Sequence, residues 1–207
     1  VHGREHDRLN DKLAELGYPT HQLAKMTDRV LRFREKVLSA ETNLAITAAL
    51  EHFTAVLAEL ILTNPEARAM TGHNGIHDTF VWHALEEAEH KAVAFDVYRA
   101  IGGSEKRRIR NMKVIRKLFV LGLTVGVIST VLRDPARKEK GRLRRDWKQF
   151  RTFPIMDKAL WARIKEYDRP GFHPNDIDTD HLVEHWSNEL FGPDGSHNAY
   201  LSGRLAG

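Results

Sequence analysis

Ten consecutive residues, Trp82-His83-Ala84-Leu85-Glu86-Glu87-Ala88-Glu89-His90-Lys91, restrict this chain more than any other stretch. At about 100° per residue, His83, Glu87 and His90 fall within an arc of roughly 60°, because spacings of four and three return to one helical face. Glu86 sits at the edge of that arc, and Glu89 points elsewhere. Apolar residues interleave on both sides: Phe80, Val81, Trp82 and Leu85, then Ala92, Val93, Ala94 and Phe95. A helix apolar nearly all round is an interior helix, and interior His and Glu need partners. Three readings stand open. Glu87-Ala-Glu-His90 can be the Glu-x-x-His pair with which helical bundles hold metals, part of a polar core network, or a solvated charged face. The interleaved apolar residues favour the metal.

Everything else about the chain is compatible with an all-helical fold. Strand signals are nearly absent, and there are no solenoid repeats or low-complexity tracts. At 207 residues it is one large domain or a domain with an appendage. With no Cys, any metal must be held by His and carboxylates, and the composition suits a reducing cytoplasm. The polar start is not expected to be a secretory signal. The polar start Val1-His2-Gly3-Arg4-Glu5-His6 lacks Met and opens in mid-pattern, as though upstream residues were missing.

Residues 1–16 read as a first helix, with His2, His6, Leu9, Leu13 and Leu16 at helical spacing and Gly17 as its stop. A second helix is expected over Leu23–Leu38, and a third from Asn43 to Thr63, capped by Thr42 and ended by Asn64-Pro65. On the third, Leu44, Ala48, Glu51, Ala55 and Ala58 form one stripe, of which Glu51 is the one charge. An acid among small core residues is costly unless something positive meets it, so Glu51 is a ligand candidate. His52, about 100° further round, is a weaker one, and Glu59 weaker again. Asp78 is expected to cap the Trp82 helix, which runs to Ile101 and stops at Gly102-Gly103. His73 and His77, in the connection before it, are secondary candidates.

A basic ramp follows, Lys106-Arg107-Arg108-Ile109-Arg110 with Lys113, Arg116 and Lys117, and then an uncharged run from Leu118 to Leu132. Its roughly 15 residues fall short of the 20 or so that span a bilayer. A second basic cluster runs from Arg133 through Arg145. The first reading is a buried bundle helix, with Gly122 and Gly126 admitting a close neighbour. The second is a peripheral membrane contact through 106–145, its basic flanks on anionic headgroups. No aromatic interleaving supports nucleic acid. Beyond this, Asp146–Phe150 ends a basic amphipathic piece and Met156–Tyr167 is a short helix. Asp178 or Thr179 caps a helix to Leu190 that carries His181 and His185 on a solvated face, and an irregular tail starts at Phe191. Residues 1–150 are expected to be a helical metal-binding bundle, with 151–207 packed on the same domain.

The candidate ligands are therefore His2, His6, Glu51, His83, Glu87 and His90, with Glu86 as a spare carboxylate. Two Glu-x-x-His helices plus carboxylates from others make the dinuclear site of ferritin-like bundles, but the Glu preceding His2 by three positions is not in this sequence.

Four segments resemble the bacterial family described as predicted metal-dependent hydrolases, a group placed among ferritin-like helical proteins. His2, His6 and Asn10 match the right-hand end of its Gln-Glu-Ala-x-His-x-x-x-His-x-x-x-Asn motif. Glu51-His52-Phe53-Thr54-Ala55 matches Glu-His-x-Thr-Ala. Trp82 through Lys91, followed by Ala94-Phe95-Asp96-Val97-Tyr98, matches the third element, and Pro170 to Pro174, with His173, the last. The resemblance implies a ferritin-like bundle and a metal; the His and carboxylate donor set suits a divalent ion, two iron ions being expected with zinc or manganese as alternatives. Three functions compete: a hydrolase in which Glu86 takes a proton from metal-activated water, a di-iron oxidase or oxygenase acting on a hydrophobic substrate, and a non-catalytic, membrane-associated metal-binding protein. The expected partners are a small, hydrophobic substrate and a second copy in a homodimer, in the cytoplasm or at a membrane surface.

Overall fold

Good helix formers punctuated by caps, prolines and glycines make every regular element a helix, with no strand among the described residues. The computed structural model describes residues 7, 10–12, 14–15, 20–69, 74–133 and 138–198. The chain divides into two compact units, Val1–Asn43 and Leu44–Gly207. In the first, α1 (Thr20–Val37) carries Met26, Val30, Phe33 and Val37 at spacings of four, three and four, all exposed. The next helix, α2 (Ala40–Thr63), starts in its last residues. The Thr42 N–H donates to Ser39 Oγ at 3.2 Å, so Ser39 occupies the cap position expected of Thr42 and the helix begins earlier.

The second unit is built on α2. Its Ala48, Ala49, Phe53 and Val56 share a core with Phe95, Met112, Ile164, Tyr167 and Phe172. Further along, Ala58 and Leu62 share another with Val81, Ala84, Leu85 and Ala88 of α4 (Asn74–His90) and Leu182 and Leu190 of α9 (Asp180–Phe191). Between α2 and α4 lies the short α3 (Pro65–Ala69). Among the described residues α2 is the one helix long and apolar enough, by length and composition, to cross a membrane, at mean hydropathy 1.6. That length of apolar surface supplies both cores.

Two expectations are corrected here. The Trp82 helix does not run unbroken to Ile101: α4 ends at His90, Lys91 and Ala92 turn, and α5 (Val93–Ala100) follows. Contacts far away in sequence hold the break. Lys91 buries its ammonium, donating to the Ile177 carbonyl at 2.6 Å and Thr179 Oγ1 at 2.7 Å, and the Ala94 N–H at the start of α5 donates to Glu51 Oε2 at 2.9 Å. Gly102, at φ 78°, ends α5. Gly103 has no room for a side chain, because a Cβ would lie 2.4 Å from the Tyr98 ring.

The second correction concerns α6 (Glu105–Arg133). Its first half is anchored by Arg108 and Met112, both fully buried, and by Phe119, whose ring lies 4.6 Å from that of Phe53. The uncharged second half is not the buried bundle helix expected. Leu118, Leu121, Val125, Ile128 and Leu132 are all more than half exposed, and a Cβ placed on Gly122 or Gly126 would meet nothing within 4 Å. Then come α7 (Arg142–Arg151) and α8 (Lys158–Glu166), whose first turn Asp157 caps by accepting the Ala159 N–H at 2.9 Å. Tyr167, Phe172 and Ile177, beyond α8, pack into the α2 core, so residues past 150 belong to the same unit as α2.

Candidate metal centre

The carboxylate on the small-residue stripe of α2 does meet something positive: the N-terminus of α5. Glu51 is half-buried and caps that helix through Ala94. Burial pushes its carboxyl above the usual range, the Ala94 N–H pulls it back, the charge of Glu87 raises it again and that of His90 lowers it. Glu51 on α2 therefore feels both Glu87 and His90 of α4.

Thr54, one turn beyond Glu51, fixes Glu87. Its hydroxyl lies 2.5 Å from Glu87 Oε2 and 3.1 Å from the Glu51 carbonyl, and its single hydrogen goes to the nearer, charged acceptor. The other Glu87 oxygen lies 3.6 Å from His83 Nε2, with both side chains about three quarters covered. His90 is exposed and its Nδ1 lies 2.8 Å from the Glu86 carbonyl. A carbonyl can only accept, so Nδ1 carries the hydrogen, and Nε2 is the nitrogen that would meet a metal.

Carboxylate oxygen and imidazole nitrogen without sulfur is a donor set for a hard or borderline divalent ion. A cation between Glu51 and Glu87 would also relieve their mutual repulsion, so the chemistry of these residues fits a metal. Among the described residues, however, no group of three His, Asp or Glu stands close enough to hold one. Of the candidates, Glu87 faces His83, and Glu51 feels the charges of Glu87 and His90; Glu86 is half-buried on the same helix, α4. His2, His6 and His73 lie outside the described residues.

The remaining candidates have other surroundings. His52 is 2% exposed, with ring centroids 5.0 Å from Tyr167 and 5.1 Å from Phe172. Burial lowers its pKa to about 4, against the pull of the Arg163 and Ile164 carbonyls. His77 Nδ1 lies 3.2 Å from Asp78 Oδ1. His173 joins its Nε2 to Asp96 Oδ1 at 2.8 Å and accepts the Asn175 N–H at Nδ1, capping a short turn. Glu59 takes a two-pronged grip from Arg163, at 2.8 and 3.0 Å.

A pH dependence follows from His52. It folds neutral, with its pKa below the unfolded value of 6.5, so its contribution is complete above pH 6.5 and is lost as pH falls toward 4. From 6.5 to about 4, at roughly 1.4 kcal/mol per unit, the loss is about 3 kcal/mol. Urea unfolding at pH 7 and pH 4 measures it. In His52→Phe the drop in stability between the two pH values should shrink by about that amount, and an equal drop in both proteins would show that His52 is not its source.

Spacing alone did not single out Thr54, Lys91 or Asp96. Each sits inside a motif segment, and the fold explains them: Thr54 clamps Glu87, Lys91 fastens the 177–179 loop, and Asp96 holds His173. The last three of the four motif segments thus meet in one place. A family model described as "Predicted metal-dependent hydrolase" matches residues 1–178. No curated protein and no solved structure matches the chain.

Proposed function

This chain belongs to the family of predicted metal-dependent hydrolases, and we propose that it is a hydrolase whose divalent metal is held by Glu51, His83, Glu87 and His90 in a ferritin-like bundle. The observation that carries this reading is the pairing of two half-buried carboxylates from separate helices, Glu51 and Glu87, with a histidine nitrogen 3.6 Å from one of them. A bound divalent ion would supply Lewis acidity, polarising a substrate oxygen and acidifying water. The chain's own residues do the rest. Thr54 orients Glu87, the amide of Ala94 fixes one oxygen of Glu51, and the Glu86 carbonyl sets the tautomer of His90. The Glu86 side chain, at the edge of the arc, accepts the proton that the attacking water gives up. A dinuclear iron site is the fuller form of this proposal.

Elemental analysis of the purified chain, combined with a panel of carboxylic and phosphoric esters assayed before and after chelation, tests it. The expected result is hydrolysis that chelation removes and added divalent metal restores. Hydrolysis indifferent to chelation would overturn the reading. So would bound iron whose absorbance responds to reduction and air in a protein that cleaves no ester, which is the signature of the oxidase alternative.

A further inference from the structure

The geometry points to an anionic lipid surface as the occupant of the exposed apolar face of α6. Leu118, Leu121, Val125, Ile128 and Leu132 recur at spacings of three and four, so they form one continuous stripe, and every one is more than half exposed. Soluble monomers rarely leave such a stripe uncovered. Beyond Phe119 the helix leaves the core, and a Cβ built on Gly122 would meet no other part of the molecule within 4 Å.

A second element repeats the pattern. On α7, Leu143 and Trp147 are exposed and Phe150 stacks on Trp147 at 5.9 Å, at positions i, i+4 and i+7. The other side of α7 carries Arg144, Arg145, Lys148 and Arg151, all exposed. Arg142, Arg145 and Lys148 line a shallow groove with Asp146 and Thr152; of these, Arg142 is paired with Asp146 at 3.0 Å and Arg145 lies 3.9 Å from Glu139. An aromatic-containing apolar edge backed by guanidinium groups is how an amphipathic helix lies in a headgroup layer.

Charge chooses between occupants. Residues 106–151 hold sixteen Lys and Arg against three Asp and Glu, a net +13 in a chain whose total is +4. A second copy stacked on this basic segment would set like charge against like charge, whereas anionic headgroups complement it. Basic residues flank the uncharged run at both ends, and its 15 residues make about 22 Å of helix, less than the hydrocarbon thickness of a bilayer. The helix therefore lies in the plane of the surface with its stripe down, and does not span.

The test is co-sedimentation of the full chain with vesicles of phosphatidylcholine, with and without phosphatidylglycerol. Binding should be at least tenfold stronger to the anionic vesicles and should weaken with salt. Trp147 emission should shift to the blue on binding, a change lost in Trp147→Phe. The double variant Leu121→Gln/Val125→Gln should lose tenfold or more in binding with an unchanged melting temperature, since neither side chain is buried. The pair Arg144→Glu/Arg145→Glu should lose the preference for phosphatidylglycerol. Failure to bind anionic vesicles would overturn the proposal, as would binding that both double variants retain. A dimer seen by light scattering and dissociated by Leu121→Gln/Val125→Gln, in a chain that leaves vesicles alone, would assign the face to a second copy instead.

Discussion

Replacing Glu87 with alanine is expected to abolish divalent-metal binding, and with it any ester hydrolysis, while leaving the fold intact. Glu87 joins the two helices of the site: one oxygen takes the Thr54 hydroxyl of α2, and the other faces His83 of its own helix. Partners that merely support a metal ligand cost about 10- to 100-fold in affinity when removed, so loss of a ligand itself should exceed that range. Thr54→Val, which removes the support and keeps the carboxylate, should fall within it. Because Glu87 is only partly buried, truncation should cost little stability. His185→Ala is the control: His185 is exposed on α9 beside Trp186, and its loss should change neither metal content nor rate. Isothermal titration with manganese, zinc and ferrous iron decides the matter. Full metal retention in Glu87→Ala would remove the centre from this part of the fold.

The largest effect on stability is expected at Arg108. Its side chain is wholly buried in the angle between α6 and the segment after α8, where its fork donates to the Glu105 carboxylate and the carbonyls of Tyr167 and Arg169. The guanidinium also lies 4.7 Å from the Tyr167 ring centroid, 5.6 Å from Phe95 and 5.9 Å from Phe172. Arg108→Ala strands two carbonyls, opens a large cavity and leaves the partly exposed Glu105 with only Arg99, at 3.2 Å, of its two cationic partners. Each stranded group costs about 1–3 kcal/mol and the cavity adds to that, so a loss of about 4 kcal/mol is expected in denaturant unfolding. Arg108→Lys keeps the charge but not the fork, and should recover less than half. A loss of 1 kcal/mol or less in Arg108→Ala would mean that the aromatic surround, and not the cation, holds this corner.

Local pattern made part of this architecture readable. The helical character around His83 and Glu87, the stop at Gly102-Gly103 and the helices at Lys158–Glu166 and Asp180–Phe191 follow from short-range rules of period and punctuation, although the first of them begins at Asn74 and not after the expected cap Asp78. The oddity of Glu51 was also visible, as an acid on a stripe of alanines. What met it was not. Its partner is an amide 43 residues away that becomes available only because α4 breaks. That break escapes a reading by periodicity, since apolar residues resume at Ala92 directly after Lys91 while the forces interrupting the helix come from residues 177 and 179. His52 shows the opposite case: its 100° offset from Glu51 turns it away from the acids and into the rings of Tyr167 and Phe172. The uncharged stretch of α6 misled for a simpler reason, because apolar composition says that a segment avoids water without saying what covers it.

The two buried cations have a consequence for how the molecule is made. Lys91 waits for acceptors 86 and 88 positions downstream, and Arg108 for carbonyls 59 and 61 positions downstream. Long chain separations delay closure, because loop entropy must be overcome before the contact forms. A chain leaving the ribosome therefore carries Glu51, Glu87 and His90 in full long before the turn at Lys91 can be secured. The acidic cluster takes its final shape only after Thr179 has emerged, so a nascent chain halted before that residue would present its carboxylates unarranged.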